Sequence, residues 1–267
     1  MSFRGASADA VAALQDELAS ATSGTNAAKV AGDLFSVATT LRGQAALRRF
    51  ATDSSIPAEA KTGLFTEVFS GKVDGATLGI LTSAVSRRWT AGRDLADALE
   101  HLGVMANVTA AGTETSRLAD ELFAFAQAAK DNPDLRDALA DPVRSIADKR
   151  GLVVSILTGA LPSTVALVSE ALSGSHRTVA VALKEYQKVV ADAQTEGVAT
   201  VRVARALGDA ELERLSAVLA TQYGRPVHLN QLVDPSVLGG IRVEIGDDVI
   251  DGTVSSRLDD ARRRLVG

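Results

Sequence analysis

With 267 residues, 46% of them apolar and 23% charged, the chain has the composition of a soluble globular protein with room for two or three domains. The absence of cysteine excludes disulfides, thiolate zinc sites and a cysteine nucleophile. A net charge of −5 argues against a general nucleic-acid binder, and an aromatic content of 4% favours tightly packed Ala/Leu helices over a β-sandwich.

The start, Met1 to Asp9, carries no apolar core of a secretory signal. Apolar residues three or four apart then predict helices over Asp9–Ser20, Ala27–Leu41, Ala58–Phe69, Asp94–Asn107, Glu114–Lys130 and Arg177–Gln194. Within the fifth, Leu118, Leu122, Phe125 and Ala129 form one face. Breaks are expected at Ser54-Ser55-Ile56-Pro57, Asp131-Asn132-Pro133, Leu161-Pro162 and Ser173-Gly174-Ser175, where turn-forming residues cluster. The stretch Gly151–Ser169 has no charge, but Pro162 divides it into pieces far shorter than the ~20 residues of a membrane-spanning helix. Two buried amphipathic helices are expected there.

The helical part also repeats itself. Leu47-Arg48 recurs as Leu135-Arg136, Asp53 as Asp141, Lys61 as Lys149, Gly63-Leu64 as Gly151-Leu152 and Gly71 as Gly159, each 88 positions on. Past a one-residue deletion, Thr77 matches Thr164 and Ala84-Val85-Ser86 matches Ala171-Leu172-Ser173. This order predicts a duplicated helical unit, one copy over 1–112 and a second over 113–197, with helix 94–107 a candidate for sharing between them. The plainer reading is that Ala/Leu-rich helices align easily with one another.

From Val198 the period changes to two. Thr200–Arg205 reads as a strand, and Asp209 as the N-cap of a helix with Leu212, Leu215 and Leu219 on one face and Gly224 at its C-terminal end. A second strand covers Val227–Leu232. Asp234-Pro235 opens a turn, and Gly239-Gly240 permits backbone angles or close approach that a side chain forbids. Ile241, Val243 and Ile245 alternate with Arg242 and Glu244 as a half-buried strand, and Gly246-Asp247-Asp248 turns the chain back along Val249-Ile250. Asp251-Gly252-Thr253 ends that strand, with Thr253 placed to cap a last helix, Val254–Leu265, that closes on Arg262-Arg263-Arg264. The expected fold class is α+β, mostly α: duplicated helical bundles, then a small α/β module over 198–267 in the order β-α-β-β-β-α.

Groups able to do chemistry are scarce. His101, His176 and His228 stand in different elements and at no metal-ligand spacing. No phosphate-binding glycine loop and no nucleophile elbow is present. Asp247-Asp248 falls at a turn, and Asp259-Asp260 on a helix that also carries arginines, so both pairs read as solvated. Arg48-Arg49 and Arg262–Arg264 are basic clusters, and Arg87-Arg88 stands beside Trp89, the only tryptophan. That last set could stack on a base, or be a helix-end cation beside a packed ring.

The tail carries a resemblance. Val233-Asp234-Pro235-Ser236, Gly239-Gly240, Ile245-Gly246-Asp247 and Val249-Ile250-Asp251-Gly252-Thr253, followed by Arg257-Leu258, closely resemble the C-terminal signature of the ATP synthase delta subunit and its mitochondrial counterpart, the oligomycin sensitivity-conferring protein. Thr253 stands where the family usually has serine, which keeps the hydroxyl. The chain is longer than the usual member, and its first 100 or so residues carry little of the family's N-terminal pattern. The internal repeat accounts for the extra length.

The resemblance implies a non-catalytic stator subunit of a proton-translocating ATP synthase, without a cofactor, metal or nucleic-acid partner. It would join the catalytic α/β head to the membrane-anchored b stalk at the cytoplasmic face of the membrane, peripherally and as part of the complex. It implies that the helical part grips N-terminal segments of α subunits and that the tail module meets the b helices. By analogy the gripping groove involves Leu95, Leu99 and Leu102 from one helix and Val165, Val168 and Leu172 from another. The same six residues could instead pack against one another in the core. The motif residues Asp234, Pro235, Gly239, Gly240, Gly246, Asp251, Gly252 and Thr253 are expected to be structural. Two competing readings are a helical-repeat adaptor whose tail module binds a small ligand, and an RNA-binding bundle that uses Arg87-Arg88-Trp89.

Overall fold

The computed structural model describes residues 3–22, 26–193, 197–223, 227–235, 237, 239–245 and 248–253. The chain divides into two units, residues 1–190 and residues 191–267.

Among the described residues, eleven α-helices in the order α1 (Ala6–Thr22), α2 (Ala27–Gly43), α3 (Ala45–Thr52), α4 (Ala58–Phe69), α5 (Gly75–Ser86), α6 (Asp94–Ala111), α7 (Thr115–Asp131), α8 (Pro133–Ala140), α9 (Ile146–Ile156), α10 (Pro162–Glu170) and α11 (Val179–Ala193) precede the first strand. The breakers act where expected. Asn132 caps α8 with Pro133 at its first position and Pro162 opens α10, while Ser145, at no expected break, caps α9. None of the described helices is long and apolar enough to cross a membrane.

Helix α6 lies at the centre of this unit. Leu95, Ala96, Ala98, Leu99, Leu102, Gly103, Val104, Ala106 and Val108 are all buried, so apolar residues run almost round the helix. A helix of that kind is enclosed by neighbours. Its most extensive partner is α2, with α1 and α10 packing elsewhere along it. Gly103 permits the close crossing with α2, because a Cβ there would stand 2.6 Å from the Phe35 ring.

The helix starts share the sequence offset. Helices α6, α7, α8 and α9 begin 88 residues after α1, α2, α3 and α4, and α10 begins 87 after α5. Gly71 and Gly159, which follow α4 and α9, both adopt positive φ, +73° and +85°. The correspondence extends to hydrogen bonds. Asp33 Oδ2 accepts from the Asp74 N–H (2.7 Å) and the Thr77 hydroxyl (3.3 Å) at the start of α5, and pairs with Lys29 one turn away. Glu121 Oε2 accepts from the Leu161 N–H (2.9 Å) and the Thr164 hydroxyl (2.5 Å) at the start of α10, and Glu121 pairs with Arg117. Each carboxylate thus satisfies free donors at a helix N-terminus contributed by a distant segment. Asp33→Ala and Glu121→Ala are each expected to lower stability by about 1 kcal/mol, as loss of a capping side chain does. Their effects should add in urea unfolding, since the two caps share no residues.

The second unit is a four-stranded mixed sheet in the order β2-β1-β3-β4, built from β1 (Gly197–Val203), β2 (Val227–Val233), β3 (Ile241–Ile245) and β4 (Asp248–Asp251). Helix α12 (Asp209–Tyr223) connects the parallel pair β1 and β2, while β1 with β3 and β3 with β4 are antiparallel. Val201 lies opposite Val243, and Val243 opposite Ile250. The two-residue period puts Ala199, Val201, Val203, Val227, Val243 and Ile245 in one core with Leu219 of α12. Expectations for Gly224, Ser236, Gly246, Asp247, the helix over Val254–Leu265 with its arginines, and the side chains of Asp209 and His228 lie outside the described residues.

Candidate functional site

The residues that could carry chemistry are dispersed and already engaged. His101 on α6 meets the Phe3 ring edge-on at 6.1 Å and stands 3.2 Å from the Gln15 amide. Among the described residues no cluster of three or more His, Cys, Asp or Glu is placed to hold a metal ion. The Trp89 ring is buried and its indole N–H donates to the Ala84 carbonyl at 2.9 Å, while Arg87 pairs with Glu17 at 2.7 Å. The packed-ring reading of this cluster therefore describes it, and no face of the tryptophan is open for stacking on a base. In the sheet unit, a shallow cleft along α12 is lined by Ala217, Val218, Thr221 and Gln222 and offers two polar side chains to a ligand.

Of the six residues expected to form a groove, Leu95, Leu99 and Leu102 lie on α6, Val165 and Val168 on α10, which packs against α6, and Leu172 just past its end. Leu95, Leu99, Leu102 and Val168 have no exposed surface, whereas Val165 and Leu172 keep part of theirs. The first four hold helix to helix within the chain. Only the outer edge of α10 is available to another molecule at this place.

The tail motif is a closure of the β3–β4 hairpin. Gly239 and Gly240 have φ of +142° and +84°. At Gly240 a Cβ would overlap the Gly252 carbonyl oxygen and stand 2.9 Å from Thr253 Cα, so the start of β3 touches the end of β4 backbone to backbone. Gly252 N–H donates to the Ile241 carbonyl at 2.9 Å. Asp251 Oδ1 accepts from the Thr253 N–H (3.0 Å) and the Thr253 hydroxyl (2.7 Å), which holds the Asp251 carboxyl below its ordinary range. The Thr253 hydroxyl thus donates within the motif, and the helix it is expected to cap lies outside the described residues. Asp234, before Pro235, anchors the other side: its N–H donates to the Val203 carbonyl at 2.9 Å and its carbonyl accepts from Val237. The described motif residues fix backbone geometry, and none presents a reactive group.

A polar centre lies inside the helical unit where sequence reading places only core. Glu100 of α6 is fully buried. It accepts from Arg42 Nη2 of α2, from the Ser175 N–H at 2.7 Å and from the Tyr186 hydroxyl of α11 at 2.5 Å. Glu170 at the end of α10 is also buried, and its Oε1 lies 3.7 Å from Arg42 Nη1. Burial, with Glu100 beside it, pushes the Glu170 carboxyl up to about 8 against the pull of Arg42 and Arg150. The only sequence signals were an arginine and a glutamate among apolar helix positions.

Comparison with known proteins places this arrangement. Residues 96–265 match the family model described as ATP synthase delta (OSCP) subunit. The chain is 56% identical over 269 residues to a protein of Nocardioides sp. named ATP synthase subunit delta, covering 100% of this chain and 98% of that one. Proteins of the same name from Kineococcus radiotolerans and Streptomyces avermitilis are 45% and 39% identical, covering 91% and 100% of this chain and 90% and 100% of theirs.

Proposed function

The chain belongs to the ATP synthase delta (OSCP) subunit family, and we propose that it holds the catalytic head of the enzyme fixed to the b-type stalk while the central rotor turns. It is a non-catalytic subunit of the peripheral stalk. In this reading the helical unit binds N-terminal segments of α subunits, with Val165 on the outer edge of α10 and Leu172 in the turn after it as part of the contact. The sheet unit meets the end of the b helices, and the assembly works at the cytoplasmic face of the membrane. The two helix series α1–α6 and α6–α11 are two copies of one bundle that share α6.

The hairpin closure at Gly240 and Gly252 carries this reading. It spends the family signature on a stiff backbone junction without a reactive side chain, as a part that transmits force requires. Rigid contact surfaces lose little ordering entropy on binding. Mixing the purified chain with the soluble head and with b-subunit helices is expected to give stable complexes with each in analytical ultracentrifugation, and the chain alone should show no ATP turnover. Failure to bind either partner, or turnover without them, contradicts the proposal.

A further inference from the structure

Glu170 is the last residue of α10, and its carboxyl is sealed from solvent at 3% exposure. The helix C-terminus already carries partial negative charge, which opposes a carboxylate there. The Glu170 carbonyl accepts from the Ser173 and Gly174 N–H groups at 2.9 and 2.8 Å, so the same residue starts the turn that leads to α11. Its Oε1 has no hydrogen bond.

The neighbouring cation is engaged on one side only, since Arg42 Nη1 and Nε make no hydrogen bond. Arg42 Nη2 is bonded to Glu100 and lies 3.4 Å from Asp97. Glu100 in turn takes the Ser175 N–H and the Tyr186 hydroxyl, and it lies so close to the turn that a Cβ on Gly174 would stand 2.6 Å from Glu100 Oε1. One guanidinium therefore serves two buried carboxyls. The groups that face Glu170 are Arg42 from α2, Glu100 from α6 with Asp97 one turn earlier, Arg150 from α9 and Tyr186 from α11, while His176 in the turn faces Glu100 at 4.0 Å.

We propose that Glu170 is a proton-operated latch on this junction. Protonated, its carboxyl rests beside the Arg42–Glu100 pair and the turn stays seated on α2 and α6. Ionised, it competes with Glu100 for the single guanidinium, and the turn and α11 loosen. The direction with pH follows from the raised carboxyl. The folded chain holds a proton that the unfolded chain has lost, so this stabilisation is complete below about pH 4.5, declines as pH rises, and is gone above about pH 8.

Hydrogen exchange of the full chain, wild type against Glu170→Gln, tests this at pH 6 and pH 9 after correction for intrinsic exchange chemistry. Opening of residues 171–190 in the wild type should increase at least tenfold between the two values, and Glu170→Gln should remove that increase. Titration of ¹³C-labelled glutamate carboxyls in the wild type, with Glu170→Asp for assignment, should place the Glu170 midpoint above pH 7. Equal pH dependence in the two proteins overturns the latch. If Glu170→Gln does not fold, the wild-type titration decides, and a midpoint in the ordinary carboxylate range overturns it.

Discussion

Gly240→Val is expected to unfold the sheet unit while the helical unit keeps its structure. Two independent penalties meet at this position. The backbone sits at φ +84°, where a β-branched residue is strained by about 1–3 kcal/mol. The new Cβ would also be driven into the Gly252 carbonyl and Thr253 Cα, which are backbone atoms and cannot rotate away. Overpacking of that kind adds about 1–3 kcal/mol. Together they approach the entire stability of a small domain, about 5 kcal/mol at the low end. Hydrogen exchange of the full chain reads the result: β3 and β1 amides should lose protection while those of α2 and α6 keep theirs. Unchanged protection in β3 would mean that the hairpin opens to admit the side chain, and the stiffness argument would fail with it.

Arg42→Ala should be the most damaging single change in the helical unit. It leaves Glu100 fully buried without its arginine, and removing one partner of a buried pair costs about 3–5 kcal/mol. Adding Glu100→Gln should recover much of the loss, because a neutral amide needs no counter-charge, and its oxygen can accept from the Ser175 N–H while its NH2 donates to the Tyr186 hydroxyl oxygen. The pair of substitutions in urea unfolding forms a double-mutant cycle. If the two losses simply add, the polar centre is not acting as a unit.

Local signals carried much of this fold. Helix α4 covers the stretch Ala58–Phe69 that the apolar period marks out, starting directly after Pro57. The eight-residue helices α3 and α8 are too short to show a period, and Gly75 and Gly79 weaken the helical signal of α5. The 88-residue offset was legible because its matched residues hold equivalent places in successive helices, Lys61 and Lys149 buried and Gly71 and Gly159 sharing a left-handed backbone after them. The tail signature was legible because Gly240 has backbone atoms where a Cβ would stand, and Gly252 lies close against the Ile241 carbonyl.

The proposed groove was harder to read. An apolar helix face reports only that something covers it, and for Leu95, Leu99, Leu102 and Val168 the cover is this chain itself. The polar centre was not legible at all. Arg42, Ser175 and Tyr186 lie 58, 75 and 86 positions from Glu100, and only the folded chain brings them together.

The position of α6 has an evolutionary corollary. Its side toward α2 is as apolar as its side toward α10, so a descendant that shed everything before Asp94 would bare a greasy stripe around Leu99 and Gly103 and would tend to precipitate. Removing the residues before Asp94 would therefore first require repainting one side of that helix with polar residues.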